Sequence, residues 1–277
     1  MAEDRYLSTA IIRAAQVLEL FTFEKPAYTN TEFARKLGLN KSSVMRILYS
    51  LERAGFLQRD KKTGEYRLTH KLYRIGSVYI QGINLHSEAM PILAELASSF
   101  GETVHLAVLS DFEVFYLDKI ESSLSIGMMS RIASKSPAYC TGVGKAILAN
   151  LEEQDLEAFF HNVKLIRYTP NTITNLEELR LHLKKIREQG FAIDDSEHEP
   201  EVKCVAAPLL NKDGKVLASI SVAGPVFRMT RERMYNELVP SVKEAARRIT
   251  SRMGYFETNS VSAIYGMLEK RVSMPKD

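Results

Sequence analysis

Tryptophan is absent from this 277-residue chain, and cysteine, glycine and proline are scarce, at 2, 14 and 9 copies. So little Gly and Pro excludes collagen-like and low-complexity chains. With 45% hydrophobic and 26% charged residues, the composition is that of a globular protein, not a disordered one. Two cysteines, Cys140 and Cys204, supply neither a disulfide framework nor the four ligands of a structural metal site. No run approaches the roughly 18 to 20 consecutive apolar residues that a bilayer demands. The opening MAEDRYLSTAII carries acids where a secretory signal is basic. The expectation is a soluble cytoplasmic protein, without membrane partner, cofactor or metal.

The length predicts two domains, and charge divides the chain unevenly between them. Residues 1–82 hold 14 Lys and Arg against 8 Asp and Glu, a net of +6, whereas residues 83–277 hold 23 against 26, a net of −3. A small basic module is joined to a larger, slightly acidic one. Such a balance fits a phosphate-contacting N-terminal domain.

Within the basic module, Ile11, Ala14, Val17, Leu18 and Phe21 recur at three and four, the spacing of an amphipathic helix that Pro26 closes. Thr29-Asn30-Thr31-Glu32 is a capping box that opens a short second helix ended by Gly38. Asn40 then caps a third, KSSVMRILYSLERAG, with Val44, Ile47, Leu48 and Leu51 inward. Lys41, Ser42, Ser43 and Arg46 are left outward on its first turns, where a major-groove reader carries its donors. Phe56–Arg59 and Glu65–Leu68 flank a Gly-containing turn, a hairpin with Arg59 on one strand and Lys61 and Lys62 near the tip. A tight Gly turn between two helices, outward donors and a basic hairpin in that order make a winged helix-turn-helix for double-stranded operator DNA.

The stretch from Arg13 to Gly76, above all AAQVLELF, TEFARKLGLNKSSVMRILYSLERAGFLQRD and GEYRLT, resembles the winged helix-turn-helix of IclR-type bacterial transcription regulators. The resemblance continues beyond it. A largely helical run from His70 to Phe100 carries Leu72, Ile75, Val78, Tyr79 and Ile83, then Met90, Ile92, Leu93 and Leu96. After Gly101 come alternating segments at Thr103–Leu109 and Val114–Ile120, and later Cys204–Leu209 and Val216–Val222 around the turn Asn211-Lys212-Asp213-Gly214. Helical patterns lie at Gly144–Leu151, Leu176–Gln189 and Thr230–Met253, the last interrupted by Pro240. Strands mixed with helices without regular alternation predict an α+β second domain.

Gly101-Glu102-Thr103, TGVGKAILANL, DDSEHEPEVKCVAAPLLNKDGKVLASISVAGP and Met253-Gly254-Tyr255 are similar, in order and spacing, to the effector-binding domain of the same family. The resemblance implies a GAF-like sheet that binds a small metabolite, with Gly142, Val143, Asp194, Cys204 and Ser221 facing the pocket. It further implies a homodimer or dimer of dimers. Glu201 stands where the family usually has Gly, and Ala223 where a second pocket Ser is frequent. The expected division is 1–69 for the winged helix-turn-helix, 70–84 for a linker helix and 85–255 for the effector domain, with 256–277 given no role.

From residue types, Gly142 and Gly144 at a helix start are expected to leave N–H groups uncovered for a carboxylate. Cys204 and Ser221 would be small polar walls and Asp194 an acceptor, so the effector is expected to be an organic acid. Other readings fare worse. Gly142-Val143-Gly144-Lys145 lacks the Gly and Ser/Thr of a phosphate loop, Tyr139 and Ala146 standing there instead, and Ile147 breaks a dinucleotide fingerprint. Glu197-His198-Glu199 lacks a second His at helical spacing and reads as solvated loop acids. An enzyme using Cys140 or Cys204 with His105 or His198 has no local cysteine signature to support it, so the chain is read as a non-enzyme. A DNA-binding architectural protein without ligand control is the remaining alternative.

Overall fold

The computed structural model describes residues 8–82, 84–128, 132–211 and 213–253, the side chains of 77–82 and 84 excepted. Two compact units part between Gln81 and Gly82.

In the first unit α1 (Thr9–Glu19) is followed by β1 (Ala27–Tyr28), α2 (Asn30–Leu37), α3 (Lys41–Arg53), β2 (Leu57–Arg59), β3 (Tyr66–Leu68) and α4 (His70–Gly82). Local chemistry fixes the middle of it. The Thr29 hydroxyl accepts from the Glu32 N–H while the Glu32 carboxylate accepts from the Thr29 N–H at 2.8 Å, and Gly38 ends α2 at φ 64°. Asn40 Oδ1 caps α3 through the Ser43 N–H at 2.8 Å. Val17, Phe33, Val44 and Leu48 are wholly buried, with Tyr28, Leu57 and Tyr66 nearly so, and Phe21 meets Tyr28 and Phe33 edge-on.

The β2–β3 hairpin gains a third strand that the sequence did not announce: β1 pairs antiparallel with β3, in the order β1-β3-β2. Ile11 is 71% exposed, so α1 meets the core only from Ala14 and Val17 onward, not from its first turn. In α4 Leu72 is half-buried and Ile75 exposed, while Val78, Tyr79 and Ile83 lie outside the described side chains.

The second unit runs α5 (Asn84–Phe100), β4 (Thr103–Ser110), β5 (Glu113–Ile120), β6 (Lys135–Pro137), α6 (Gly142–Leu148), α7 (Glu153–Asn162), α8 (Leu176–Gln189), β7 (Ala192–Asp195), β8 (Val202–Leu210), β9 (Val216–Pro225), α9 (Arg231–Arg233) and α10 (Val239–Met253). Its six strands form one antiparallel sheet in the order β6-β5-β4-β9-β8-β7. Both faces are covered. One packs Val104, Leu106, Val205, Ile220 and Val222 against Ile92, Leu93, Leu96, Val242, Ala246 and Ile249 of α5 and α10. The other packs Ala107, Leu109 and Ala206 against α6, α7 and α8.

Two corrections concern the helices. The run from His70 to Phe100 is helical over His70–Gly82 and Asn84–Phe100, as expected, but the interval read as Gly144–Leu151 begins at Gly142 and ends at Leu148, and α7 is a helix that the sequence pattern does not announce. The interruption near Pro240 is a π-helical turn over Met234–Leu238. That wider turn comes just before the residue whose missing N–H breaks the regular ladder.

Candidate functional sites

On α3, Val44, Leu48 and Leu51 turn inward, and Lys41, Ser42, Met45, Arg46, Tyr49 and Ser50 are exposed. Ser43 is half-buried, its N–H spent on the cap, and the Ser42 hydroxyl also donates to Asn40 Oδ1 at 2.8 Å. Asn30 Nδ2 donates to the Lys41 carbonyl at 3.2 Å, which ties the start of α3 to α2. Tyr49 was not singled out from sequence. It is 60% exposed and one turn beyond Arg46 on the outward face, a spacing that marks it once Arg46 is placed there. In the hairpin, Asp60 Oδ1 accepts from the N–H groups of Lys62 and Thr63 at 2.7 and 3.2 Å, and Gly64 takes φ 75°. Lys61 and Lys62 sit exposed on this turn, and Arg59 lies over the Tyr66 ring at 5.8 Å.

In the second unit, strand register brings the predicted pocket residues together. Asp194 pairs with Cys204, Cys204 with Ala223, and Ala206 with Ser221, so β7, β8 and β9 carry them on one face, beneath α6. A Cβ built on Gly142 would lie 2.4 Å from Cys204 Sγ, and one on Gly144 2.2 Å from the Ala138 carbonyl oxygen. Both glycines therefore serve close packing. Gly142's N–H is turned to the Cys204 sulfur. The helix start is otherwise uncapped by a side chain, because the Thr141 hydroxyl donates to the Pro137 carbonyl at 2.9 Å. Val143 is buried beside it.

The electrostatics are those of a buried site. Burial pushes Asp194 up to about 7, against the pull of Lys145 and the Glu197 N–H that Oδ1 accepts at 2.7 Å. Burial likewise pushes both thiols up, Cys140 to about 12, the reverse of what activates a nucleophile. From sequence His105 reads only as a base for a thiol. It is buried, held down to about 3 by burial and by Lys119, and its Nδ1 lies 3.3 Å from Ser221 Oγ. Its ring meets Tyr116 at 5.0 Å. Polar residues at alternate positions of an apolar strand, Thr103 and His105, were the signal for this side of the site.

Two further residues read differently in three dimensions. Lys145 is fully buried, bound to the Glu197 carboxylate, to the Ile193 carbonyl at 2.7 Å and to His182 Nε2 at 3.4 Å. Glu197 is thus no solvated loop acid, whereas Glu199 is exposed. Outside glycine, left-handed φ occurs among the described residues at Asp111, Phe112, Ala133 and Ser196, so Glu201 adds no backbone strain to its loop. No group of three or more His, Cys, Asp or Glu among the described residues is placed to hold a metal ion, and no helix there is long and apolar enough to cross a membrane. A groove of about 420 Å³ between α5 and α10 contains none of the predicted residues.

Residues 10–61 match the IclR helix-turn-helix domain family, and residues 77–251 match the family of bacterial transcriptional regulator IclR C-terminal domains. The chain is 33% identical to the HTH-type transcriptional regulator KdgR of Escherichia coli (strain K12), over 82% of this chain and 86% of that protein. Its structure resembles the crystal structure of Thermotoga maritima IclR, with 33% identity, TM-score 0.71 and coverage of 88% and 98%. It also resembles an IclR homolog complexed with 4-hydroxybenzoate from Microbacterium hydrocarbonoxydans, with 25% identity, TM-score 0.77 and the same coverage.

Proposed function

The chain belongs to the IclR family of bacterial transcriptional regulators, and on that premise we propose that it holds operator DNA through α3 and the basic hairpin and changes that hold when a small organic acid binds. Arg46 is the base reader, Lys41, Ser42 and Ser43 accompany it, and Arg59, Lys61 and Lys62 contact phosphates. One short recognition helix covers only a few base pairs, so a homodimer or dimer of dimers on a pseudo-palindromic site supplies the selectivity. The working division is 1–69 for DNA, 70–84 for the linker and 85–255 for the effector, in a cytoplasmic protein that catalyses no reaction.

The observation that carries the effector reading is the alignment of Asp194, Cys204 and Ser221 on one sheet face under α6. The similar homolog that holds 4-hydroxybenzoate supports an acid with a hydroxyl or aromatic body. The carboxylate goes to the positive end of α6, aided by its Val143 N–H, and the body to the apolar wall. A ligand regulates only if it prefers one of two conformations.

A melting screen against organic acids tests this. An effector at about 100 times its dissociation constant stabilises by roughly 2.7 kcal/mol. Ser221→Leu or Cys204→Leu should abolish the shift and leave ligand-free operator binding intact. A shift that survives both replacements would refute the site, and no shift from any acid would favour a ligand-independent DNA-binding protein.

A further inference from the structure

Thr103 lies across from Ala223 on β9, which lies across from Cys204 on β8, which lies across from Asp194 on β7. Two residues along β4, His105 lies across from Ser221. Period-two alternation therefore puts the Thr103 side chain on the face that carries Cys204, Ser221 and Asp194. The other polar groups there have partners: Asp194 Oδ1 accepts from the Glu197 N–H, and His105 meets Ser221. The Thr103 hydroxyl, on a wholly buried residue, has no hydrogen-bond partner among the described residues. A buried hydroxyl without a partner lowers stability. Valine would fill the same strand position equally well, with the same branching and none of that cost. Packing does not account for the hydroxyl.

We propose that Thr103 Oγ1 is a ligand-reading group of the effector site, bonding a hydroxyl or keto oxygen that the effector carries in addition to its carboxylate. The inference rests on the effector reading above and narrows it from organic acids at large to hydroxy and oxo acids. Thr103 on β4 and Cys204 on β8 are two strand spacings apart, about 9.5 Å. That span suits a ring or short carbon chain with the carboxylate at the α6 end and the second oxygen at the β4 end. Ala223, in the strand between them, offers no polar atom, so the hydroxyl of this row comes from Thr103.

The test compares wild type, Thr103→Val and Thr103→Ser in two measurements. Without ligand, Thr103→Val should melt at the wild-type temperature or up to about 4 °C above it, because an isostere removes an unpaired polar group. A fall of several degrees would mean that the hydroxyl is bonded within the protein, and would overturn the proposal. In the second measurement, binding is titrated with matched acids: 4-hydroxybenzoate against benzoate, and lactate and pyruvate against propionate. Wild type and Thr103→Ser should bind one oxygenated acid at least tenfold tighter than its partner, and Thr103→Val should bind both within about twofold. If Thr103→Val discriminates as wild type does, or if wild type binds acids without discriminating, Thr103 is not the reader while the organic-acid reading stands. If no acid binds wild type, that reading fails first and this one with it.

Discussion

The ammonium of Lys145, wholly shielded from solvent, is held by the carboxylate of Glu197, 52 residues further along the chain. The Ile193 carbonyl and the His182 ring complete its surroundings, so one side chain of α6 ties down β7, the loop after it and α8. Glu197 in turn gives its N–H to Asp194. The position of the Asp194 carboxylate on the candidate pocket face therefore depends on an ion pair that touches no surface.

Removing one partner of a buried pair leaves the other charge without compensation. Lys145→Met and Glu197→Leu should each lower the unfolding free energy by about 3 to 5 kcal/mol. The double variant should lose much less than the two together, since both charges are gone. Urea denaturation of the three variants decides it, and additive losses would show that the pair is not coupled.

Asp194 sets a pH dependence whose sign follows from its burial. With the folded carboxyl raised from 3.8 to about 7, the folded state holds this proton more tightly than the unfolded chain does. The resulting stability is fully present below about pH 4, declines as pH rises through the interval up to 7, and is gone above it. Buried His105 and His182, pushed down to about 3 and about 4, act oppositely, losing their contribution as pH falls below 6.5. Asp194→Asn removes only the first effect. Between pH 5 and pH 8 the variant should therefore gain about 2 to 3 kcal/mol relative to wild type. Urea midpoints for both proteins at the two pH values give the difference, and a constant difference would place the Asp194 carboxyl in its ordinary range.

Features that depend on near neighbours in the chain were legible in the sequence. The Thr29 and Glu32 box, Gly38 in the left-handed region, the Asn40 cap and the Gly214 turn are each made within a few residues, and each is as expected. Features that depend on distant pairing were not. β1 is two residues long and exists only because Ala27 and Tyr28 find Arg67 and Tyr66. On β4 Thr103 and His105 alternate with Val104 and Leu106, but nearly every residue is buried on either face, so the alternation marks no solvent face, and the place of Thr103 and His105 beside Ala223 and Ser221 comes from distant strand pairing. Nothing local announces the burial of Lys145, because its partner Glu197 lies 52 residues away.

Close packing at the start of α6 predicts an asymmetry between two glycines. In Gly142→Ala the new methyl meets Cys204 Sγ, a side-chain atom, whereas in Gly144→Ala it meets the backbone of Ala138. Both should destabilise, Gly142→Ala by about 1 to 3 kcal/mol as overpacking does. Adding Cys204→Ala should recover most of the Gly142→Ala loss and none of the Gly144→Ala loss, read as melting temperatures of the two pairs. Equal recovery in both would contradict the contacts assigned to them.

The DNA-binding unit separates two kinds of basic residue by position. Arg46 is exposed on α3, flanked by Ser42 one turn before it and Tyr49 one turn after, as a group entering a groove must be, whereas Lys61 and Lys62 sit on a hairpin turn held by Asp60. Arg46→Ala should cost about 1 to 3 kcal/mol on the preferred operator and little on operators altered at the one base pair it reads. Lys61→Ala and Lys62→Ala should instead weaken every sequence alike and shallow the log–log salt dependence of binding by roughly 0.9 for each phosphate no longer neutralised. Titrations of single-base operator variants at several salt concentrations separate the two patterns. A uniform loss across operator variants for Arg46→Ala would move base readout to Tyr49 or Ser42, which share the exposed face.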